Sequence, residues 1–163
     1  MPAPTAFRLM FQAPFKMAAT ATVGLAMVAT TLAPGAVSAN ASATPVGTWK
    51  TIDDETGKAK SHVQIVEVHG KLYGKVSRLL IKPSDTICTK CTGERAGKKI
   101  LGMMILWGLK YDEGSKKWKG GKIFDPEKDK AYRAAMWNID NDQLKVRGYL
   151  GPFYRTQMWY RVQ

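Results

Sequence analysis

Histidine and cysteine each occur only twice in the chain, and that scarcity bounds its chemistry. His62 and His69 stand an odd number of residues apart, so on a regular strand their side chains face opposite sides. They offer no paired-histidine site. The serine motif G-x-S-x-G is absent, as is the phosphate-cradling G-x-x-x-x-G-K-[ST]. Carboxylates cluster only in turn-like runs such as DDETGK, YDEGSKK and IDNDQ. DPEKDK places acids at alternate positions but lacks the central glycine and closing glutamate of a calcium loop. No catalytic constellation is visible, so the expectation is a non-enzyme with no cofactor and no metal.

Acidic residues are also missing from the first fifty positions, where Arg8 and Lys16 are the only charges before Lys50. After them comes AATATVGLAMVATTLA, Ala18 to Ala33, then Pro34, Gly35 and AVSANASA. A basic start, an apolar middle and small residues at Val37 and Ala39 are the parts of a cleaved export signal in the right order. The apolar run is too short and too rich in Ala and Thr for a membrane anchor, which needs roughly 20 strongly apolar residues. The expected organisation is a signal peptide over 1–39 and one domain over 40–163. The alanine-rich style points to a bacterial periplasmic or secreted protein. No later stretch reads as a transmembrane segment.

The expected mature part, roughly 120 residues, is enough for one core. The formal charge of the whole chain is +12, and loss of Arg8 and Lys16 leaves +10. Such a field attracts anionic partners. Export removes nucleic acid from the expected list and leaves anionic envelope components. The lysines are scattered rather than gathered in one block, which also fits a protein that is simply basic all round.

From Gly47 onward the pattern has period two. In QLKVRGYL, Leu144, Val146, Gly148 and Leu150 alternate with Gln143, Lys145, Arg147 and Tyr149. RTQMWYRV alternates likewise. This is the signature of half-buried strands. HVQIVEV changes phase between Ile65 and Val66, which predicts a bulge or a twist there. VHGKLYG predicts a tight hairpin with positive φ at Gly70. About eight strands result, near 47–52, 61–68, 71–81, 100–109, 116–124, 130–139, 143–150 and 155–162. So many short strands in one small domain predict an all-β fold, an antiparallel up-and-down β-barrel whose closure removes exposed edges.

The first strand opens with GTWKT, Gly47 to Thr51, and the last carries WYRV with Arg161. A G-x-W on strand one with an arginine on the final strand resembles the lipocalin-like barrels. There the guanidinium covers the indole and closes the barrel base, a contact of about 0.5–2 kcal/mol. The order GTWKTIDDETGKAKSHVQI, GKLYGKV, CTKC, ILGMMIL, GGKIFDPEKDKAY, LKVRGYLG and MWYRV resembles the bacterial exported family termed domain of unknown function 2147. That resemblance spans Val46 to Val162 and implies a small exported β-barrel. It carries no activity over to particular residues. Gly47, Trp49 and Arg161 are expected to be structural.

Cys88 and Cys91 stand as C-x-x-C in DTICTKCTGE. Three chemistries use this spacing: a redox pair, half of a zinc site, and a local disulfide. A redox pair wants a helix N-terminus, and the surroundings are polar and loop-like instead. Zinc wants four ligands. An oxidising compartment and an even count favour a disulfide that shapes the loop between strands three and four. Closing so short a ring gains about 2 kcal/mol or less. A redox role stays as the minor alternative.

The aromatics and methionines supply the candidate site. Trp107, Trp118, Trp137, Trp159, Tyr73, Tyr132, Tyr149, Met103, Met104, Met136 and Met158 fall on predicted strands. Facing inward, they line either a packed core or a ligand cavity, because eight-stranded barrels lie between the two. A cavity is expected to be apolar with a basic mouth, suited to a small amphipathic ligand. Tyr73, Trp107, Arg133, Trp137, Arg147 and Tyr149 are the candidate ligand-binding residues, and Arg78 is a further mouth group. Two readings follow: a non-enzymatic exported barrel binding a small amphipathic or apolar ligand or envelope component, or a solid-core module that binds partners through its surface.

Overall fold

The computed structural model of the protein describes residues 43–163. The expected signal peptide, residues 1–39, lies outside the described residues. Eight strands follow in chain order: β1 (Gly47–Ile52), β2 (Ala59–Val68), β3 (Lys71–Leu79), β4 (Met104–Asp112), β5 (Lys117–Asp125), β6 (Lys130–Asn138), β7 (Gln143–Leu150) and β8 (Phe153–Arg161). Each pairs antiparallel with its sequence neighbour, and β1 pairs with β8 to close the barrel. The expected all-β, up-and-down, eight-stranded lipocalin-like barrel is the fold observed.

The core follows the alternation. Val63 and Ile65 on β2, Leu72 and Val76 on β3, Leu144 and Val146 on β7, and Trp159 on β8 are all buried. The residues between them face out. At the β2–β3 hairpin both His69 and Gly70 have positive φ, 49° and 71°. Two successive left-handed residues match the right-handed twist of the flanking strands, which is why the loop is so short.

Two expectations are corrected. The bulge in β2 is not at Ile65/Val66, where pairing with β3 is regular. It lies between His62 and Val63, and Val66 faces solvent. The fourth strand begins at Met104 rather than Ile100. Gly102 has φ 83° and the Met103 N–H bonds to the Ile100 carbonyl, so 100–103 is a turn in spite of its apolar side chains. On β8 Trp159 is buried and Gln157 half-buried, and Tyr154, Thr156 and Tyr160 are exposed. The strand turns a polar-looking face inward, and the site depends on that.

Candidate functional site

In an up-and-down barrel, alternate turns lie at opposite ends. The β2–β3, β4–β5 and β6–β7 turns share one end with the start of β1 and the end of β8. This end is shut. Trp49 is fully buried and donates its indole N–H to the Pro45 carbonyl at 2.7 Å. The Arg161 guanidinium lies 4.2 Å from the Trp49 ring centre. It also donates to the carbonyls of Val46 (3.1 Å), Thr44 (2.8 Å) and Asn141. A Cβ on Gly47 would overlap Arg161 Nη1, so the glycine leaves the space that the guanidinium fills.

The opposite end is open. A cavity of about 620 Å³ lies among the β1–β2, β3–β4, β5–β6 and β7–β8 turns. Trp159 forms its floor with Val76 and Val146, and Ile105, Ile123 and Tyr132 form walls. The interior is therefore packed at the base and hollow toward the mouth, which joins the two interiors considered from the sequence.

One wall is polar. Trp159 Nε1 donates to Gln157 Oε1 at 3.2 Å, and Gln157 Nε2 donates to Asp54. Arg155 pairs with the same carboxylate oxygen of Asp54. Thr51 and Ser61, both buried, share a hydroxyl bond of 2.8 Å. Every polar group here has a partner, which is what makes its burial tolerable.

The mouth carries a compact ion cluster. Lys60 lies 2.6 Å from Glu127 and 3.5 Å from Asp53, and Lys82 lies 3.0 Å from Glu127. The hydrogen bond from Lys60 holds the Glu127 carboxyl below its ordinary value of 4.5, helped by Lys82. The Thr56 hydroxyl and N–H hold Asp53 below 3.8, with Lys60 adding to the effect. Burial works to lower Lys60, but the Glu127 bond and the nearby carboxylates leave it above 10.5. The depressed acids stabilise the cluster fully above their ordinary values, and that contribution is lost as pH falls through the folded ones. The raised lysine contributes fully below 10.5, and its share is lost as pH rises through its folded value. Hydrogen exchange should therefore show amides in 80–103 losing protection between about pH 6 and pH 3, after intrinsic-rate correction, while barrel amides keep theirs.

Residues 80–103 join β3 to β4 and reach the mouth with Ile81, Lys82 and Ile100. Cys88 and Cys91 form the expected disulfide, and both are buried. The Cys88 N–H bonds to the Lys98 carbonyl, and Thr92 bonds Asp129 of the β5–β6 turn through its N–H (3.0 Å) and hydroxyl (2.6 Å). Cysteines bonded to each other supply no thiolate for zinc. His62 faces Lys50 and Arg78 across the sheet, and burial with those charges lowers its pKa.

None of the six candidate ligand-binding residues lines the cavity. Tyr73 lies between inward Leu72 and Gly74, so it points out. Trp107 is covered by Arg95, whose Cζ lies 5.4 Å from the ring centre. Arg133 and Trp137 flank the inward Ala134 and Met136 on β6, and Arg147 and Tyr149 flank the inward Gly148 on β7. They form an outer wall instead. Arg147 stacks between Trp137 (5.1 Å) and Tyr154 (4.0 Å), and the Tyr149 and Tyr154 rings lie 6.1 Å apart. Arg78 is exposed opposite His62.

The expected basic mouth is also corrected. Asp53, Asp54, Glu55, Asp125 and Glu127 line it beside Lys60, Lys82, Lys128 and Arg155. The acids of the turn-like runs gather there because those turns share one end of the barrel. Sequence reasoning missed Asp54, Arg155 and Gln157 as site residues. A signal for two of them existed. Once Arg161 is read as facing Trp49, period two carries Trp159, Gln157 and Arg155 to the same inner face.

A closed eight-stranded up-and-down barrel, shut at the base and hollow at the mouth, is a lipocalin-like architecture. The chain belongs to the family described as an uncharacterized protein conserved in bacteria (DUF2147), which matches residues 47–161. It is similar to a solved structure described as "Protein HP1028 from the human pathogen Helicobacter pylori belongs to the lipocalin family". The TM-score is 0.63 at 20% identity, over 72% of this chain and 82% of that one. At that identity the likeness concerns the fold. No curated protein matches the chain. Among the described residues, no helix is long and apolar enough to cross a membrane.

Proposed function

We propose that the protein is an exported, non-enzymatic barrel that holds one small apolar or amphipathic molecule in its mouth-end cavity. The observation that carries this reading is the cavity itself. Its roughly 620 Å³ is within the range of small-molecule sites, and apolar walls with a few fixed polar groups are their usual lining. The Gly47–Trp49–Arg161 set, read as the lipocalin signature, supports the same class. Residues 1–39 and the Cys88–Cys91 bond support export to an oxidising compartment.

The polar wall narrows the ligand. Arg155, Lys60 and Lys82 each have a carboxylate partner already. A carboxylate or phosphate head could meet Lys128 at the rim, but deeper in the mouth it would have to displace Asp54 or Glu127, and an isolated ion in an apolar site is costly. The best match is an apolar body with an uncharged or zwitterionic polar end near Asp54 and Gln157.

Trp159 on the floor is a built-in reporter. Titration with the neutral probe N-phenyl-1-naphthylamine should quench Trp159 emission and enhance probe emission, and the sulfonated anilinonaphthalene probe should bind more weakly. Val146→Trp fills the hollow from the floor and should weaken the neutral probe by at least about tenfold with the β-sheet circular dichroism retained. Wild-type affinity in that folded variant, or no enhancement in the parent, sinks the reading. Native mass spectrometry of protein purified from its own cells would then identify the occupant.

A further inference from the structure

The outer wall formed by Trp137, Arg147 and Tyr149, which meets the cavity only at Tyr154 on the rim, is the most unusual surface of the barrel. β6, β7 and β8 together carry no acidic residue. Arg133, Lys145 and Arg147 point outward from them. The acids that adjoin these strands sit at their two ends: Asp140 and Asp142 in the β6–β7 turn at the shut end, and at the mouth Asp125 beside Lys130 and Asp54, which is already paired with Arg155. Toward the mouth the wall ends in the β7–β8 turn. There Phe153 is 75% exposed, Tyr154 60% and Leu150 49%. Across the mouth Ile81 is 51% exposed.

We infer that this wall and the β7–β8 turn dock on an anionic lipid bilayer, with Leu150 and Phe153 entering the interface and Arg133, Lys145 and Arg147 meeting the lipid phosphates. Charge complementarity carries the choice of partner: a one-signed wall on a strongly basic chain faces the negative potential of acidic lipid. The shape agrees. The apolar side chains sit exposed at the tip of a two-residue turn on the rim of the mouth, where a flat lipid surface can reach them. Tyrosine, tryptophan and arginine beside an apolar tip are the side chains that settle at membrane–water interfaces. Arg147 is held in place by the Thr156 hydroxyl at 2.8 Å and by the two rings, so its charge stays on the wall.

The inference stands whatever the cavity holds. It also has a geometric consequence for the cavity, since Leu150, Phe153 and Tyr154 are part of its rim. Docking by this turn brings the mouth to the lipid surface.

The test is flotation of protein purified from its own cells with vesicles of phosphatidylcholine alone or with about one-third phosphatidylglycerol. The protein should float with the anionic vesicles and not with the neutral ones, and salt of about 0.5 M should release it. Phe153→Ser should weaken binding by about tenfold. Arg133→Glu should weaken it as well, and the same Glu at Lys71, on the far side of the barrel, should weaken it much less. Both Phe153 and Arg133 are exposed, so the variants should fold, and unchanged thermal melting checks that. Equal flotation with both vesicle types, or full binding by Phe153→Ser, overturns the inference. So does a dimer that Phe153→Ser splits into monomers with no vesicle binding in either form, because the wall is then an interface between copies.

Discussion

Trp49→Ala should cost about 3–5 kcal/mol of folding stability, the largest loss from any single aromatic truncation in this barrel. The indole is fully buried at the shut end, its N–H is bonded to the Pro45 carbonyl, and its face is covered by Arg161. Truncation removes the buried surface, opens a hole under the guanidinium and leaves the Pro45 carbonyl unpaired. Urea unfolding followed by far-ultraviolet circular dichroism measures the change. Trp137→Ala is the control, because that ring lies on the outer wall and is only partly buried. Equal losses for the two would mean that the shut end is not where the stability is concentrated. Arg161→Lys should fall between wild type and Trp49→Ala. A lysine keeps the charge but not the planar fork that reaches the Thr44, Val46 and Asn141 carbonyls together.

Gly121→Val should prevent the native register of β5, with a loss of at least about 3 kcal/mol and poor yield of folded protein. A Cβ at this position would run into the Trp107 carbonyl oxygen and lie 2.5 Å from the Leu109 nitrogen and 2.7 Å from the Gly108 carbonyl carbon. All three are backbone atoms of β4, so no rotamer change relieves the clash. The two strands can only separate. Its neighbour is the natural comparison. Gly120 has φ 83° with open space where a Cβ would go, so Gly120→Ala meets backbone strain alone, about 1–2 kcal/mol. Heteronuclear NMR of both variants, with thermal melts, distinguishes a lost register from a strained one. A folded Gly121→Val with wild-type melting would show that β4 and β5 are not held so close.

Strand count, order and most boundaries were legible because alternation and turn chemistry are local. Gln143–Leu150 could be read in full from its own residues, and the hairpin at His69–Gly70 from its glycine. The start of β4 was not legible, because Ile100, Leu101 and Met103 look like strand residues and only the turn at Gly102 excludes them. The cavity lining was misread for a different reason. Trp137 and Tyr149 have the size of core residues, but cation–π contacts of Trp137 with Lys117 and Arg147, and the packing of Tyr149 on Tyr154, let these rings sit on an outer wall. Arg155 and Gln157 look like surface residues; Asp54 holds the exposed Arg155 at the mouth, and Asp54 with the Trp159 indole makes the half-buried inner position acceptable to Gln157. Composition cannot assign these faces. The phase set by Arg161 against Trp49 could have done so for β8.

The seam between β1 and β8 differs from every other pairing. Its register is Trp49 opposite Arg161 and Lys50 opposite Tyr160, with the Val162 N–H bonded to the Thr48 carbonyl beside them, and the Arg161 bond to Val46 links residues 115 apart. The other seven ladders form between consecutive strands, six across short turns and β3–β4 across residues 80–103, so each closes a smaller loop than the seam does. The seam must wait for them. Until it joins, the molecule is a curled ribbon with two bare borders that could zip onto another chain. The indole–guanidinium clasp is thus a safeguard against polymerisation as well as a source of stability.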